Sequence, residues 1–420
     1  MADLYMDMGG VTGMRDDKPL RLALAQEYRR KMRRALFLTL PLLLFLIATF
    51  IVPIGQLLLR SVHNDDFSRN MPQLSRWFAD NTADTAIGEV AFSALVADLI
   101  LAAKEKTITV VGTRINYDLP GMRSLFTSTA RKIGGLTPPF KSALIQMDPR
   151  WGDERLWQAM RVASAEYTGD FYLAAADLSR NQKGEIVRTP EERRIYGHLF
   201  FRTLMLAAMI TGICLILAYP VAHLLATLPM AKSNLLMIFV LLPFWTSLLV
   251  RTTAWMVLLQ EQGVLNNGLI ALGLISDDMR LPLIYNQFGT VIAMTHILLP
   301  FMILPIYSVM RPINPSYVRA ALSLGASSWT AFRRVYFPQT LPGVAAGVLL
   351  VFIMAIGYYI TPALVGGASG QLISNMIAYH MQESLNWSLA AALAGILLAG
   401  VLILYWLYDR LVGIDNLKLG

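Results

Sequence analysis

Arg319, Ala320, Ala321 and Gly325, then nine residues, then Val335, Phe337 and Pro338, lie between two long apolar stretches. None of these side chains suits acid–base or nucleophilic work; small residues, a glycine stop and a proline instead suit a rigid turn against which another protein can close. Asn314 and Pro315 supply a cap and a preset first turn, so 316 to 324 is predicted as a short helix. Gly325 ends it, because the residue past a helix C-terminus often takes the left-handed conformation that glycine reaches without a Cβ penalty. Ser327 or Ser328 can cap a second helix through about Phe337, and Pro338 with Pro342 is expected to break it. Ala320 and Ala321 admit a close approach, while Val318, Leu322 and Leu324 offer apolar contact.

A second set of polar and aromatic residues lies within apolar stretches: Trp245, Arg251, Trp255, His296, Tyr358 and Tyr359. A cation inside a membrane span usually faces the bundle interior or water, so Arg251 either lines a pathway or snorkels to the interface. For His296 a structural hydrogen bond between helices is expected. The aromatic residues serve as solute contacts or as interfacial anchors and packing. The spans hold no Asp or Glu away from their ends, so a carboxylate site for a polycation is not evident.

Catalytic patterns are absent from the sequence. No Gly-x4-Gly-Lys-Ser/Thr phosphate loop, His-Glu-x-x-His pair or Gly-x-Ser-x-Gly elbow occurs. The histidines are scattered at 63, 198, 223, 296 and 380, and the lone Cys214 lies in an apolar stretch, so it forms no internal disulfide. The chain is expected to be no enzyme, and to bind no metal and no cofactor.

The elements that carry these residues are membrane spans. With 420 residues, 55% hydrophobic and 15% charged, the composition lies outside the soluble range. The net charge of +8 does not indicate nucleic acid, because the basic residues sit beside apolar spans rather than on a patch with base-reading groups. A spanning helix needs about 20 apolar residues, and spans are predicted at 35 to 59, 199 to 225, 235 to 259, 287 to 310, 342 to 364 and 386 to 408. The first follows a basic tail, 1 to 34, and has no small-residue cleavage site, so it is expected to remain as an anchor.

Lys and Arg collect on cytoplasmic loops. Arg29, Arg30, Lys31, Arg33 and Arg34 precede the first span, Lys232 follows the second, and the segment 311 to 341 carries Arg311, Arg319, Arg333 and Arg334 without any acid. Both termini, including the tail 409 to 420, are therefore expected in the cytoplasm. Residues 85 to 103 compete as a seventh span, but Glu89 and Asp98 would each cost about 3 kcal/mol at mid-membrane, and the extra crossing would export those arginines. That stretch is read as a buried helix within residues 61 to 197, an extracytoplasmic insertion of mixed α/β or mainly helical character. Helices are predicted there at 85 to 103 and 154 to 178, strand character at 107 to 111 and around Ile115, and a helix start at Thr189-Pro190-Glu191-Glu192 running into the second span. The insertion serves as a docking surface for a solute-binding protein, as a cap over the pathway, or as an inert elaboration.

The spacing at 319 to 338 resembles the cytoplasmic loop of binding-protein-dependent ABC importer permeases: Glu-Ala-Ala, three residues, Gly, nine residues, Ile-x-Leu-Pro. Arg319 departs from that pattern, standing where the family has Glu, and implies an acidic or carbonyl-lined partner surface instead of a cationic one. Leu242-Pro243-Phe244-Trp245, Leu249-Val250-Arg251, Gly263 to Asn266, Leu298 to Phe301, Thr361 to Gly367 and Asn386-Trp387 resemble the spermidine/putrescine branch. The resemblance covers about 35 to 60 and 199 to 410. It implies an all-α, six-span bacterial inner-membrane permease whose permease core spans 199 to 408. It also implies a second permease subunit forming a heterodimer, two cytoplasmic ATPase subunits carrying ATP and Mg, and a periplasmic solute-binding protein. Arg319, Ala320, Ala321, Gly325, Val335, Phe337 and Pro338 would couple the ATPase stroke to uptake of a polyamine, or of an opine or amino-acid-like solute. The rival reading is a membrane-anchored receptor whose 61 to 197 domain binds a ligand.

Overall fold

The computed structural model describes residues 18–82, 85–180 and 185–412, which are helical apart from a short hairpin, an isolated bridge and the connecting turns. The chain forms two units, Met1–Leu59 and Arg60–Gly420. The described part of the first is helical, and the helical segment Glu27–Arg60 is long enough and apolar enough to cross a bilayer. Helix begins at Lys18, well inside the stretch expected as a tail. Its path includes a π turn at Ile47–Ile51, where the Val52 N–H reaches back to the Ile47 carbonyl. Pro53 follows, and the widened turn accommodates a ring that would otherwise meet the carbonyl four residues earlier.

In the second unit the uninterrupted apolar helices are Tyr196–Thr227, Gln287–Met310, Ser328–Gly357 and Trp387–Arg410. The third predicted span, 235 to 259, is not one helix: Met230–Trp245 and Leu248–Ala271 meet at 96°. Pro243, in the turn Leu242–Trp245, and the extended residues Thr246 and Ser247 make the break. Ser247 caps the new half by accepting from the Val250 N–H at 3.2 Å.

The fifth predicted span, 342 to 364, is displaced. Its helix begins at Ser328, continues through Pro338 and Pro342, and stops at Gly357; Ile360–Val365 is a separate short helix. Pro338 does not break it because a π turn, Phe332–Tyr336, immediately precedes, the same device used before Pro53. The Gln339 side-chain amide also donates to the Val335 carbonyl at 2.6 Å. Gly343 and Gly347, one turn apart, let this helix approach the fourth span: a Cβ on Gly343 would lie 2.8 Å from the Pro305 carbonyl oxygen.

The insertion departs from expectation in detail. Helices Pro72–Asp80, Glu89–Lys104, Ile108–Asp118, Met122–Ala130, Phe140–Met147 and Glu154–Ser164 enclose Phe67, Leu74, Phe92, Leu95 and Trp151, all almost wholly buried. The strand expected at 107 to 111 and around Ile115 is instead the helix Ile108–Asp118 with Thr107 at its N-cap; the β-branched run packs Val111 and Ile115 into this core, and tertiary burial overrides strand propensity. The helix expected over 154 to 178 is two, Glu154–Ser164 and Asp170–Ala175. The only strands among the described residues, Leu178–Arg180 and Ile186–Arg188, pair antiparallel.

Thr189-Pro190 opens no more than a 3₁₀ turn, Glu191–Arg193. The second span starts at Tyr196, capped from a distance by Asp177, whose carboxylate accepts from the backbone of Ile195, Tyr196 and Gly197 at 3.1, 3.2 and 2.7 Å. Phe171 and Ala175 pack with Leu199, Ile373, Leu389 and Leu393, so the insertion shares a core with the second and sixth spans. Tyr196 Oη and His380 Nε2 lie 2.9 Å apart, and Tyr117 donates to the Ser384 carbonyl at 3.4 Å.

Candidate functional site

Two constellations stand out, and the first is the segment 314 to 338. Asn314 Oδ1 accepts from the Ser316 N–H at 2.9 Å and starts the helix Ser316–Ser323. At its far end Gly325 has φ +89°, the Gly325 N–H donates to the Leu322 carbonyl at 3.0 Å, and the Ala326 N–H donates to the Ala321 carbonyl at 3.1 Å. That pair of bonds is a Schellman termination. Ser327 then caps the next helix through the Thr330 N–H at 3.2 Å. The reversal is thus fixed by backbone and caps alone.

The segment presents an apolar rim: Leu324 is 88% exposed, Trp329 68% and Tyr317 55%. Arg319 and Ala320 are exposed, Ala321 and Val335 half-buried, and Phe337 and Pro338 exposed at the helix side. Behind the rim lies a cavity of about 720 Å³ lined by His223, Arg311, Val318, Arg319, Phe332 and Tyr336 among others. Arg311 donates through Nη1 to the carbonyls of Ala226 (2.6 Å) and Leu228 (3.0 Å), tying the base of the fourth span to the end of the second.

An aromatic ladder continues inward from the rim. Trp329 stacks on Phe332 at 5.8 Å between centroids and Phe332 on Tyr336 at 5.9 Å. Tyr336 Oη meets His223 Nδ1 at 3.1 Å, and Tyr219 Oη meets Thr340 Oγ1 at 3.2 Å. Sequence reasoning missed His223, Tyr219 and Tyr336. The signal was available as Tyr219/His223 and Phe332/Tyr336, each four apart and so on one helix face.

The second constellation gathers four of the six residues singled out within the apolar stretches. Arg251 and Trp255 lie one turn apart on Leu248–Leu259; the Trp255 indole N–H donates to His296 Nδ1 at 3.1 Å. Arg251 is near enough for its charge to act on His296 and on Tyr358. The expected interhelical bond of His296 is therefore present, with Trp255 as its partner. Thr252 and Thr361 hydroxyls, 3.1 Å apart and buried, fasten this half-helix to Ile360–Val365. Tyr358 and Tyr359 are held in the break after the fifth span by Ser374 and Asn375, which donate to their carbonyls at 2.6 and 2.7 Å. Trp245, at the bend of the third span, is 74% exposed and Tyr359 38% exposed.

A family profile described as the binding-protein-dependent transport system inner membrane component matches residues 205–413. The spermidine/putrescine transport system permease protein PotB of Escherichia coli (strain K12) is 35% identical over 221 residues, covering 52% of this chain and 80% of that protein. The chain belongs to this family of ABC importer permeases. The PotB of Haemophilus influenzae is 34% identical over 221 residues, covering 52% of this chain and 77% of that protein. The inner membrane ABC transporter permease protein YdcU of E. coli is 35% identical over 205 residues, covering 46% of the permease and 65% of that protein. Among solved structures, a bacterial alginate ABC transporter in complex with an alginate pentasaccharide-bound periplasmic protein aligns with TM-score 0.45 at 16% identity, covering 54% of the permease and 81% of that chain. The permease is thus a multi-pass inner-membrane component of an ABC importer, of the polyamine branch, and the profile begins downstream of the helices at 65–175.

Proposed function

We propose that this permease conducts a small amine-bearing solute, of the polyamine or amino-acid-like kind, into the cell under the drive of a separate ATPase pair that docks on residues 316 to 338. The observation that carries the reading is the rim of Leu324, Trp329 and Tyr317 on a capped, Schellman-terminated reversal. Three large apolar side chains exposed together mark a contact surface, and the aromatic ladder to His223 links that surface to the second and fifth spans.

In this reading Arg319 and the neighbouring alanines meet the ATPase groove, and Gly325, Val335, Phe337 and Pro338 keep the segment rigid. Both termini lie in the cytoplasm. Residues 61–197 form a periplasmic domain that receives the solute-binding protein, and a second permease subunit completes the pathway. The similarity to spermidine/putrescine permeases supports an amine solute.

The test is reconstitution of the permease with its neighbouring gene products in liposomes. ATP-dependent accumulation of a labelled amine solute, absent without the permease, is the expected result. Failure of every polyamine and amino-acid-like solute to accumulate would overturn the solute class.

A further inference from the structure

Arg251 is a half-buried cation within the apolar stretch of the bent third span, and no ion pair answers it among the described residues. It stands in the first turn of the half-helix Leu248–Leu259, its Nε is buried, and that nitrogen has no hydrogen-bond partner. No ion pair reaches its guanidinium among the described residues, and the charges acting on its neighbours His296 and Tyr358 include Arg251 but no carboxylate. A guanidinium does not shed its proton. An unpaired one inside a membrane protein is costly, and such groups mark ligand pathways.

His296 supplies a second donor. Its Nδ1 accepts the Trp255 indole N–H, so in the neutral ring the proton resides on Nε2. The ring is exposed on an otherwise well-buried helix, which leaves that N–H open to a ligand. Arg251 and the His296 Nε2–H, joined through Trp255, make a group rich in donors and empty of acids. A diammonium solute meets repulsion there. A carboxylate meets a planar fork that pairs with it in bidentate fashion.

We propose that Arg251, with His296, Trp255 and Tyr358 beside it, forms a subsite for the carboxylate of the transported solute, and that the solute is accordingly an amino-acid-like amine rather than a free polyamine. The proposal rests on the importer reading above and names its substrate class.

Equilibrium binding to the full permease–ATPase complex in nanodiscs tests it, with the periplasmic binding protein omitted so that its selectivity does not enter. The probes are two pairs: arginine and agmatine, which differ by the carboxylate, and 4-aminobutyrate and putrescine, in which an aminomethyl group replaces it. The expected result is tighter binding of the carboxylated member of at least one pair by about tenfold, a preference that Arg251→Gln removes and Arg251→Lys keeps in part. The ratio within a pair does not depend on how much complex folds. A carboxylate preference in neither pair, a preference unchanged in Arg251→Gln, or no binding of any probe each overturns the subsite. A rise in putrescine binding on Arg251→Gln with no carboxylate preference in the wild type would make Arg251 a barrier to cations instead. If the liposome assay shows amine uptake while the nanodisc preference is missing, the subsite fails and the importer reading stands.

Discussion

At Gly325 the backbone conformation does what no side chain is asked to do. Its φ of +89° lies where a β-branched residue is strained by about 1–3 kcal/mol, and an added Cβ there would meet nothing within 4 Å. Gly325→Val is therefore expected to distort the reversal without creating a clash. Co-purification of the ATPase subunits should fall, whereas Gly325→Asn, which tolerates the left-handed region, should fall less; equal retention by both variants would sink this role. Sequence located the glycine and its two caps because capping and C-terminal glycine are local rules. Arg311, by contrast, bonds to carbonyls 83 and 85 residues away and left no local trace.

Asp98 carries a prediction about pH. It is fully buried, accepts the Leu74 N–H through Oδ2 at 2.8 Å, and leaves Oδ1 unpartnered. Burial pushes its carboxyl above the ordinary 3.8, against the opposing influence of the Leu74 and Gln73 backbone N–H groups and the charge of Arg76. The folded state then holds the proton more tightly than the unfolded chain, so raising the pH from the ordinary value through the raised one costs stability, and the penalty persists above it. Asp98→Asn keeps the acceptor toward Leu74 and removes the charge. Its thermal stability relative to wild type, followed by unfolding in detergent, should improve as pH rises from about 4 toward neutrality; a difference that does not vary with pH would refute the assignment.

Among the elements, the fifth span and its leading helix form one body. Sequence predicted a break at Pro338 because proline removes a helix hydrogen bond and its ring clashes with the preceding turn. The π turn at Phe332–Tyr336 absorbs both effects, and nothing in a linear pattern announces a π turn. The third span failed in the opposite direction: Pro243 does end its helix, and the apolar run on both sides concealed a 96° bend. Apolar length reports that a span exists and says nothing of its continuity.

Movement of Trp329 in the exposed rim should therefore reach Tyr336, the partner of His223, through one continuous helix. Tyr336→Phe removes the hydroxyl 3.1 Å from His223 Nδ1. The loss of stability should be about 1 kcal/mol, with uptake per ATP hydrolysed reduced. A double-mutant cycle with His223→Leu should show a coupling energy clearly above zero, and strict additivity would argue against the ladder as a transmitting element.

Over the whole of the Arg60–Gly420 unit, the helices of 65–175 pack directly on the long apolar helices that follow them. Asp177 caps the second span, and Phe171 and Ala175 share a core with the sixth. Asp177→Ala should destabilise the unit by about 1–2 kcal/mol, measured by thermal unfolding; an unchanged midpoint would mean that the cap is not needed. The apolar spans and the helical nature of 89–104 were legible from composition and charge. The docking of the insertion was not, because its contacts pair residues near 117 and 171 to 177 with residues 195 to 199 and 373 to 393, separations that no sequence period encodes.

The central claim is that ATP-driven uptake passes through the capped reversal at 316 to 338. ATP-dependent accumulation of labelled solute in liposomes, compared between wild-type and Gly325→Val complexes at matched permease content, tests it most directly. Uptake by the wild type and a fall of about tenfold or more in the variant is the predicted result; wild-type uptake rates in Gly325→Val would contradict it.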